Sequence, residues 1–231
     1  MAHADEARMP RVADALTLYV WRAPALRLAS WAGEAEMPSV PFTIVESLLS
    51  LLVFALFWNG RYWLGLAASI AVMILSVAAI VAERSAHATV TEQRVQRAIE
   101  AIFPLLWWWA WAHGLAAYGR PLEPIYATMV LWVVVGGTIA IRGIEALAVH
   151  RFNGMEIHAW QPLDTRFRLV GAGRNPNLVI LAAALLVGRP DSGIVLVAWW
   201  TLISLIFHSV RFAQLTELQA RRVKIASWLD Q

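Results

Sequence analysis

From residue 43 onward, long apolar runs alternate with short polar breaks. Six runs stand out, at roughly 43–58, 62–82, 98–118, 124–143, 177–188 and 193–211. A helix needs about 20 apolar residues to cross about 30 Å of hydrocarbon. The pattern therefore predicts an all-α integral membrane protein with six transmembrane helices. The fifth run is short for that distance and is expected to be extended, tilted or tucked against its neighbours. Residues 11–32 mix apolar residues with Arg11, Arg22 and Arg27, and Pro24 interrupts them. They read as an N-terminal interfacial amphipathic helix pair lying on the membrane. Residues 212–228 continue as an amphipathic tail, with Arg221, Arg222 and Lys224 clustered and Trp228 at the interface. Three parts follow: an interfacial segment (1–42), a membrane domain (43–211) and a tail (212–231).

Composition supports this class. The chain is 59% hydrophobic and 15% charged, against roughly 45–50% and about 25% for soluble domains. Residues 1–10 lack the apolar core of a signal peptide, so the first apolar run is expected to stay in the chain. Cysteine is absent, which excludes disulfides and thiolate chemistry. Nothing resembles a basic stripe or a recognition motif for nucleic acid. Residues 1–42, the 83–97 and 142–174 connections and the tail from Arg211 hold 4, 3, 5 and 4 of the basic residues. The opposite connections hold only Arg61, Arg120 and Arg189. By the positive-inside rule both termini face the cytoplasm.

Candidate chemistry concentrates in the run from Ala82 to Leu115, which passes from charged residues through Pro104 into Trp107, Trp108, Trp109 and Trp111. Glu92, Gln96 and Glu100 stand four apart, so they form one stripe on a helical face. The 143–176 connection carries Arg166, Arg168 and Arg174 and ends in Asn175-Pro176, read as an N-cap followed by a first-turn proline. A helix N-terminus beside three arginines is a candidate anion or lipid-headgroup site. The plainer reading is that loop arginines obey topology. Glu46 reads as the acid of a capping box begun by Thr43 rather than as a buried group. His113 reads as an interfacial or satisfied core histidine. His208 and Arg211 share a face; Arg211 is expected to snorkel to the boundary, and His208, lying deeper, is a weak candidate. Arg142 and Glu145 read as a simple ion pair. The tryptophans read chiefly as interface belt and packing.

Three stretches, FPLLWWWAWAHGL (103–115), EIHAWQPLDTRFRLVGAGRNPNLVIL (156–181) and GRPDSGIVLVAWWTLISLIFHSVRFAQ (188–214), look like a bacterial branch of the CDP-alcohol phosphotransferase family. The resemblance covers roughly residues 40–214. It implies a six-helix fold with an N-terminal interfacial helix, a bacterial inner-membrane location and a tendency to homodimers. The family signature, D-x-x-D-G-x-x-A-R-x(8)-G-x(3)-D-x(3)-D, supplies four aspartates that bind two divalent cations on the CDP diphosphate. In register it falls on Leu75, Ala78, Ala79, Ala82, Glu83, Glu92, Gln96 and Glu100. Only Ala82 matches, and residues 62–100 contain no aspartate in any register. Leucine and alanine cannot supply the hard oxygens that magnesium-type cations need. Glu92, Gln96 and Glu100 would hold one weak divalent cation at most.

The expectation is therefore a catalytically degenerate member of this type with no cofactor. It would serve as a non-catalytic membrane subunit or lipid-binding protein. Its partners would be membrane lipids and a second copy or another membrane protein. Two alternatives stand beside it. One is a divergent transferase using Glu92, Gln96 and Glu100 with the three loop arginines. The weaker is a small-solute transporter, disfavoured by apolar midplanes and the lack of paired broken helices.

Overall fold

The computed structural model of the chain describes residues 14–34, 40–85, 90–152, 154–223 and 227–228, with backbone alone over 32–34, 80–85 and 90–93. All its regular elements among these residues are helical. The first is α1 (Arg22–Glu34), entered through a π-helical turn at Thr17–Trp21. The expected break at Pro24 is not there: residues 15–34 run as one helix. Proline lacks the N–H that would bond the carbonyl four residues back, and the widened turn just before it absorbs the mismatch. Arg11, Pro38 and Lys224 lie outside the described residues.

Next come α2 (Val40–Trp58), α3 (Tyr62–Ser85) and α4 (Val90–Gly114). Then α5 (Pro124–Arg151) is a continuous span with a π-helical turn at Trp132–Gly136. A short helical turn at Ile157–Ala159 leads into α6 (Pro162–Val170), α7 (Arg174–Leu186) and α8 (Pro190–Ala220). Helices α2, α3 (over Tyr62–Ala79), α5 and α8 are long and apolar enough to cross a membrane, and α6 with α7, bent by 45°, makes a fifth if the pair is one broken span. The chain is thus a helical protein of the multi-pass membrane type. The expected count of six exceeds what length and apolarity support among the described residues. The third expected run falls in α4, where Glu100, Pro104, His113 and a cluster of indoles take the place of aliphatic side chains.

Those indoles explain the packing. Trp107, Trp108 and Trp111 are fully buried, whereas Trp109 is exposed. A buried indole needs a partner for its N–H. Trp107 Nε1 donates to the Ser50 carbonyl of α2 at 3.0 Å, and Trp111 Nε1 to the Pro190 carbonyl at the start of α8 at 3.2 Å. Tyr62 stacks on Trp111 at 4.1 Å and donates its hydroxyl to the Trp111 carbonyl at 2.8 Å. Helix α4 is therefore the post to which both halves of the bundle attach. One half is α1–α4, where α3 packs on α1 and α2; the other is α5 and α7 packed on α8. His113 is exposed at the end of α4 and stacks on Trp58 at 3.6 Å.

Two glycines permit the backbone contact between the ends of α2 and α4. A Cβ on Gly114 would stand 1.9 Å from the Phe57 carbonyl oxygen, so α4 can meet the end of α2 only without a side chain there. Gly60, at φ +67°, makes the left-handed turn that starts α3 against the same point. At the other end, α8 runs unbroken through residue 211 to Ala220, and the chain then turns at Arg222 (φ 57°). The amphipathic tail is consequently shorter as a helix than the expected 212–228. Trp228 Nε1 donates to Thr165 Oγ1 of α6 at 2.9 Å.

Candidate functional site

Buried polar side chains gather in two clusters. The first lies where α2, α3, α4 and α7 meet. Its centre is Glu46, fully buried on α2. Helix α2 begins at Val40 among the described residues, so Thr43 is inside the helix and cannot cap it. The capping-box reading of Thr43 and Glu46 is thereby overturned. Instead, Gln96 Nε2 donates to Glu46 Oε2 at 2.7 Å, and Thr43 Oγ1 donates to Gln96 Oε1 at 2.9 Å. Glu100 Oε1 accepts from Ser76 Oγ of α3 at 2.9 Å and lies 3.4 Å from Gln96 Nε2. Arg174 Nη1 is 3.8 Å from Glu46 Oε1, and Glu100 and Asp14 also act electrostatically on that guanidinium.

The polar stripe of α4 is therefore real at Gln96 and Glu100, and both are tied into the protein. The side chains of Glu83 and Glu92 lie outside the described residues. On α3 the residue facing Glu100 is Ser76. Leu75 and Ala78, at the positions of the signature's first two aspartates, pack in the apolar cluster formed with Ala25, Phe42, Val77 and Ala79.

The loop arginines do not converge. Arg166 is exposed, Arg168 Nη1 lies 3.5 Å from Glu145 Oε1, and Arg174 belongs to the Glu46 cluster. Asn175 is not an N-cap either. Helix α7 starts at Arg174 with Gly173 in the cap position, making no side-chain cap bond. The Asn175 amide donates to both Asp14 oxygens, at 2.9 and 3.0 Å, and to Thr17 Oγ1 at 2.9 Å; its carbonyl accepts from Trp21 Nε1 at 3.3 Å. Its role is to fasten the N-terminal helix to α7.

The second cluster sits where α5, the Ile157–Ala159 turn, α6 and α8 meet. The expected Arg142–Glu145 pair is present at 3.5 Å, but it is the outer edge of a larger group. His158 Nε2 lies 2.8 Å from Glu145 Oε1, and His208 Nε2 lies 3.6 Å from the same oxygen. Both imidazoles are buried, with ring centroids 5.0 Å apart. Burial is the largest influence on His158 and lowers its pKa below the ordinary histidine value, favouring the neutral ring. Beside these groups is a cavity of about 460 Å³ lined by Arg142, Glu145, Glu156, His158 and Arg168. Sequence reading singled out His208 weakly and passed over His158.

Arg211, expected to snorkel, is buried as well. Its Nε donates to Asp164 Oδ1 at 2.5 Å and its Nη2 to Asp164 Oδ2 at 2.7 Å. Gln161 Oε1 accepts from the same Nη2 at 2.6 Å and Gln214 Oε1 from Nη1 at 2.7 Å, and the guanidinium stands 4.2 Å over the Trp160 ring. Asp164 also accepts from the Gln161 backbone N–H at 3.0 Å, which caps α6. This bidentate pair locks the α5–α7 connection onto α8 and so holds His158 beside His208. No protein-family model matches this chain, and no curated protein matches it.

Proposed function

We propose that this chain is a catalytically degenerate membrane protein of CDP-alcohol phosphotransferase type, acting as a non-catalytic subunit or a lipid-binding protein. The observation that carries the reading is the state of the α4 stripe. Where the family would require carboxylates, α3 offers Leu75 and Ala78 to an apolar cluster. Glu100, at the signature's last aspartate position, is engaged by Ser76 and Gln96. Gln96 is engaged in turn by Glu46 and Thr43. A diphosphate entering with no metal would meet Glu46 and Glu100, which repel it, and an arginine already shared among three acids.

Lipid binding draws further support from a largely apolar cavity of about 400 Å³ lined by Leu16, Leu169, Val170, Val179, Ile180 and Trp200, together with Asp14. Its walls suit an acyl chain, and it lies beside the α6–α7 bend. In this reading the protein resides in a bacterial inner membrane with both termini cytoplasmic. The basis is the basic residues, 16 of 19 of which fall in the termini and in the 83–97 and 142–174 connections.

The test is purification from native membranes in mild detergent, with retained lipids and proteins identified by mass spectrometry. Alongside, CDP-diacylglycerol and soluble alcohol acceptors are offered with magnesium or manganese. Co-purifying phospholipid or a stoichiometric partner, with no transfer, is the expected outcome. Metal-dependent release of CMP with formation of a phosphodiester product overturns it.

A further inference from the structure

We infer that Glu145, His158 and His208 form a binding site for a first-row divalent metal ion of the zinc type, because His208 aims a bare, buried ring nitrogen at a carboxylate that a second imidazole already touches. The three groups arrive on separate elements. Glu145 comes from the polar end of α5, His158 from the Ile157–Ala159 turn and His208 from the middle of α8. One ligand atom from each lies within 4.8 Å of the others.

The argument turns on the tautomer of His208. Its Nδ1 is 2.6 Å from the Ser204 carbonyl oxygen. A carbonyl only accepts, so Nδ1 carries the proton, and in the neutral tautomer Nε2 is a lone pair, the form a metal would bind. That Nε2 is buried with no hydrogen-bond partner. It faces Glu145 Oε1 at 3.6 Å, beyond hydrogen-bond range even were it protonated. A hydrogen-bonded network without an ion accounts for His158, through its 2.8 Å contact, and leaves His208 facing an anion with nothing between them. An ion gives the His208 lone pair its partner and takes His158 through Nε2, which moves the His158 proton to Nδ1, a buried nitrogen with no acceptor. Zinc bonds to imidazole nitrogen and carboxylate oxygen are about 2.0–2.2 Å long, so two tetrahedral ligands stand about 3.3 Å apart. The observed 2.8 and 3.6 Å separations bracket that value.

The surroundings fit the same chemistry. A metal-bound histidine usually donates its other N–H to a carbonyl or carboxylate, as His208 does to Ser204. Two imidazoles and one carboxylate suit zinc and its first-row neighbours rather than magnesium or calcium, which prefer oxygen alone. Three protein ligands leave a position open toward the cavity lined by Arg142, Glu156 and Arg168. The arginines are the opposing feature, because each approaches a Glu145 oxygen at 3.5 Å. Both side chains are partly exposed and border the cavity, so an entering cation can displace them into it. This site is distinct from the Gln96–Glu100 stripe, and it departs from the expectation that the chain binds no metal.

The experiment uses the full chain without a histidine tag, purified in detergent, stripped with chelator and titrated with Co²⁺ and then Zn²⁺. Wild type should take up one Co²⁺ per chain with the intense visible absorption of a four-coordinate site. Zn²⁺ should displace it and raise the thermal midpoint. H208A and E145Q should each lose the visible band and the zinc-induced shift while eluting as folded protein in gel filtration. Should either variant fail to fold, wild type still decides. Absence of stoichiometric Co²⁺ uptake, or a spectrum showing only weak six-coordinate bands, overturns the proposal. Uptake that survives in folded H208A overturns it equally.

Discussion

Replacing Glu46 with alanine separates a helix cap from a buried network by magnitude alone. Loss of a cap costs about 1 kcal/mol. In the structure Glu46 is fully buried and accepts from Gln96 at 2.7 Å, and loss of a hydrogen bond to a charged group costs about 1.5–3 kcal/mol. It also faces Arg174, and orphaning one member of a buried pair costs about 3–5 kcal/mol in full. Only a fraction applies here. The contact is 3.8 Å long, the Arg174 side chain is 18% exposed, and Glu100 and Asp14 still act on it. The sum is about 2–4 kcal/mol, or a fall of about 5–15 °C in the thermal midpoint for a chain of this size. Glu46→Gln keeps an acceptor for Gln96 and should lose less than half as much. Arg174→Met should lose more than Glu46→Ala, because it leaves three carboxylates without their shared cation. Glu46→Gln combined with Arg174→Met should then be more stable than Arg174→Met alone. Midpoints would be read by fluorescence-detected gel filtration in one detergent at one heating schedule, since membrane proteins commonly unfold irreversibly. A Glu46→Ala loss no larger than that of a cap, or strict additivity in the double variant, refutes the network.

Arg211→Met should destabilise by about 3–5 kcal/mol, because Asp164 is left fully buried without its guanidinium partner. Adding Asp164→Asn should recover part of that loss, and protease sensitivity of the 152–173 connection should rise in the single variant; unchanged cleavage and midpoint would contradict the lock. Gly114→Ala places a methyl 1.9 Å from the Phe57 carbonyl and should sharply reduce the yield of folded protein, whereas Gly143→Ala, with open space around it, should leave yield unchanged. Equal yields for the two would show that α2 and α4 do not meet as closely as described.

The apolar runs were readable because a membrane span is a compositional object about 20 residues long. Helices α2, α3, α5 and α8 accordingly fall where the pattern places them. Helix α4 is different: its indoles face the protein, bonded to the carbonyls of Ser50 and Pro190, and nothing local distinguishes such tryptophans from an interfacial belt. Glu46 was misread for a related reason. Thr43-Ile44-Val45-Glu46 has the same spacing whether Thr43 starts a helix or lies inside one, and only the helix already under way at Val40 decides. Arg211 looked able to snorkel because its partner, Asp164, comes from a connection that no helical period ties to α8. Of the Glu145 cluster, helical spacing reaches only the Arg142–Glu145 pair, and His208 only as a weak candidate without a partner. The cluster depends on a chain reversal that sets a turn after α5 against the middle of α8.

Partnering, rather than charge, is what distinguishes the two polar clusters. Around Gln96 the hydroxyls and amide are paired, Gln96 with Glu46 and Thr43, and Ser76 with Glu100, and the arginine has three acids. One acceptor is left over: Glu46 Oε1 is buried with no hydrogen-bond partner, but it faces the Arg174 guanidinium 3.8 Å away. Around Glu145 the balance is different. One oxygen collects two imidazoles and an arginine, yet His208 Nε2, which faces it at 3.6 Å, has no hydrogen-bond partner. Unpaired buried nitrogen is costly unless something else occupies the space. The leftover Glu46 oxygen has a cation beside it, whereas the His208 lone pair faces a carboxylate, so the inferred ion would complete the Glu145 cluster and not the Gln96–Glu100 stripe.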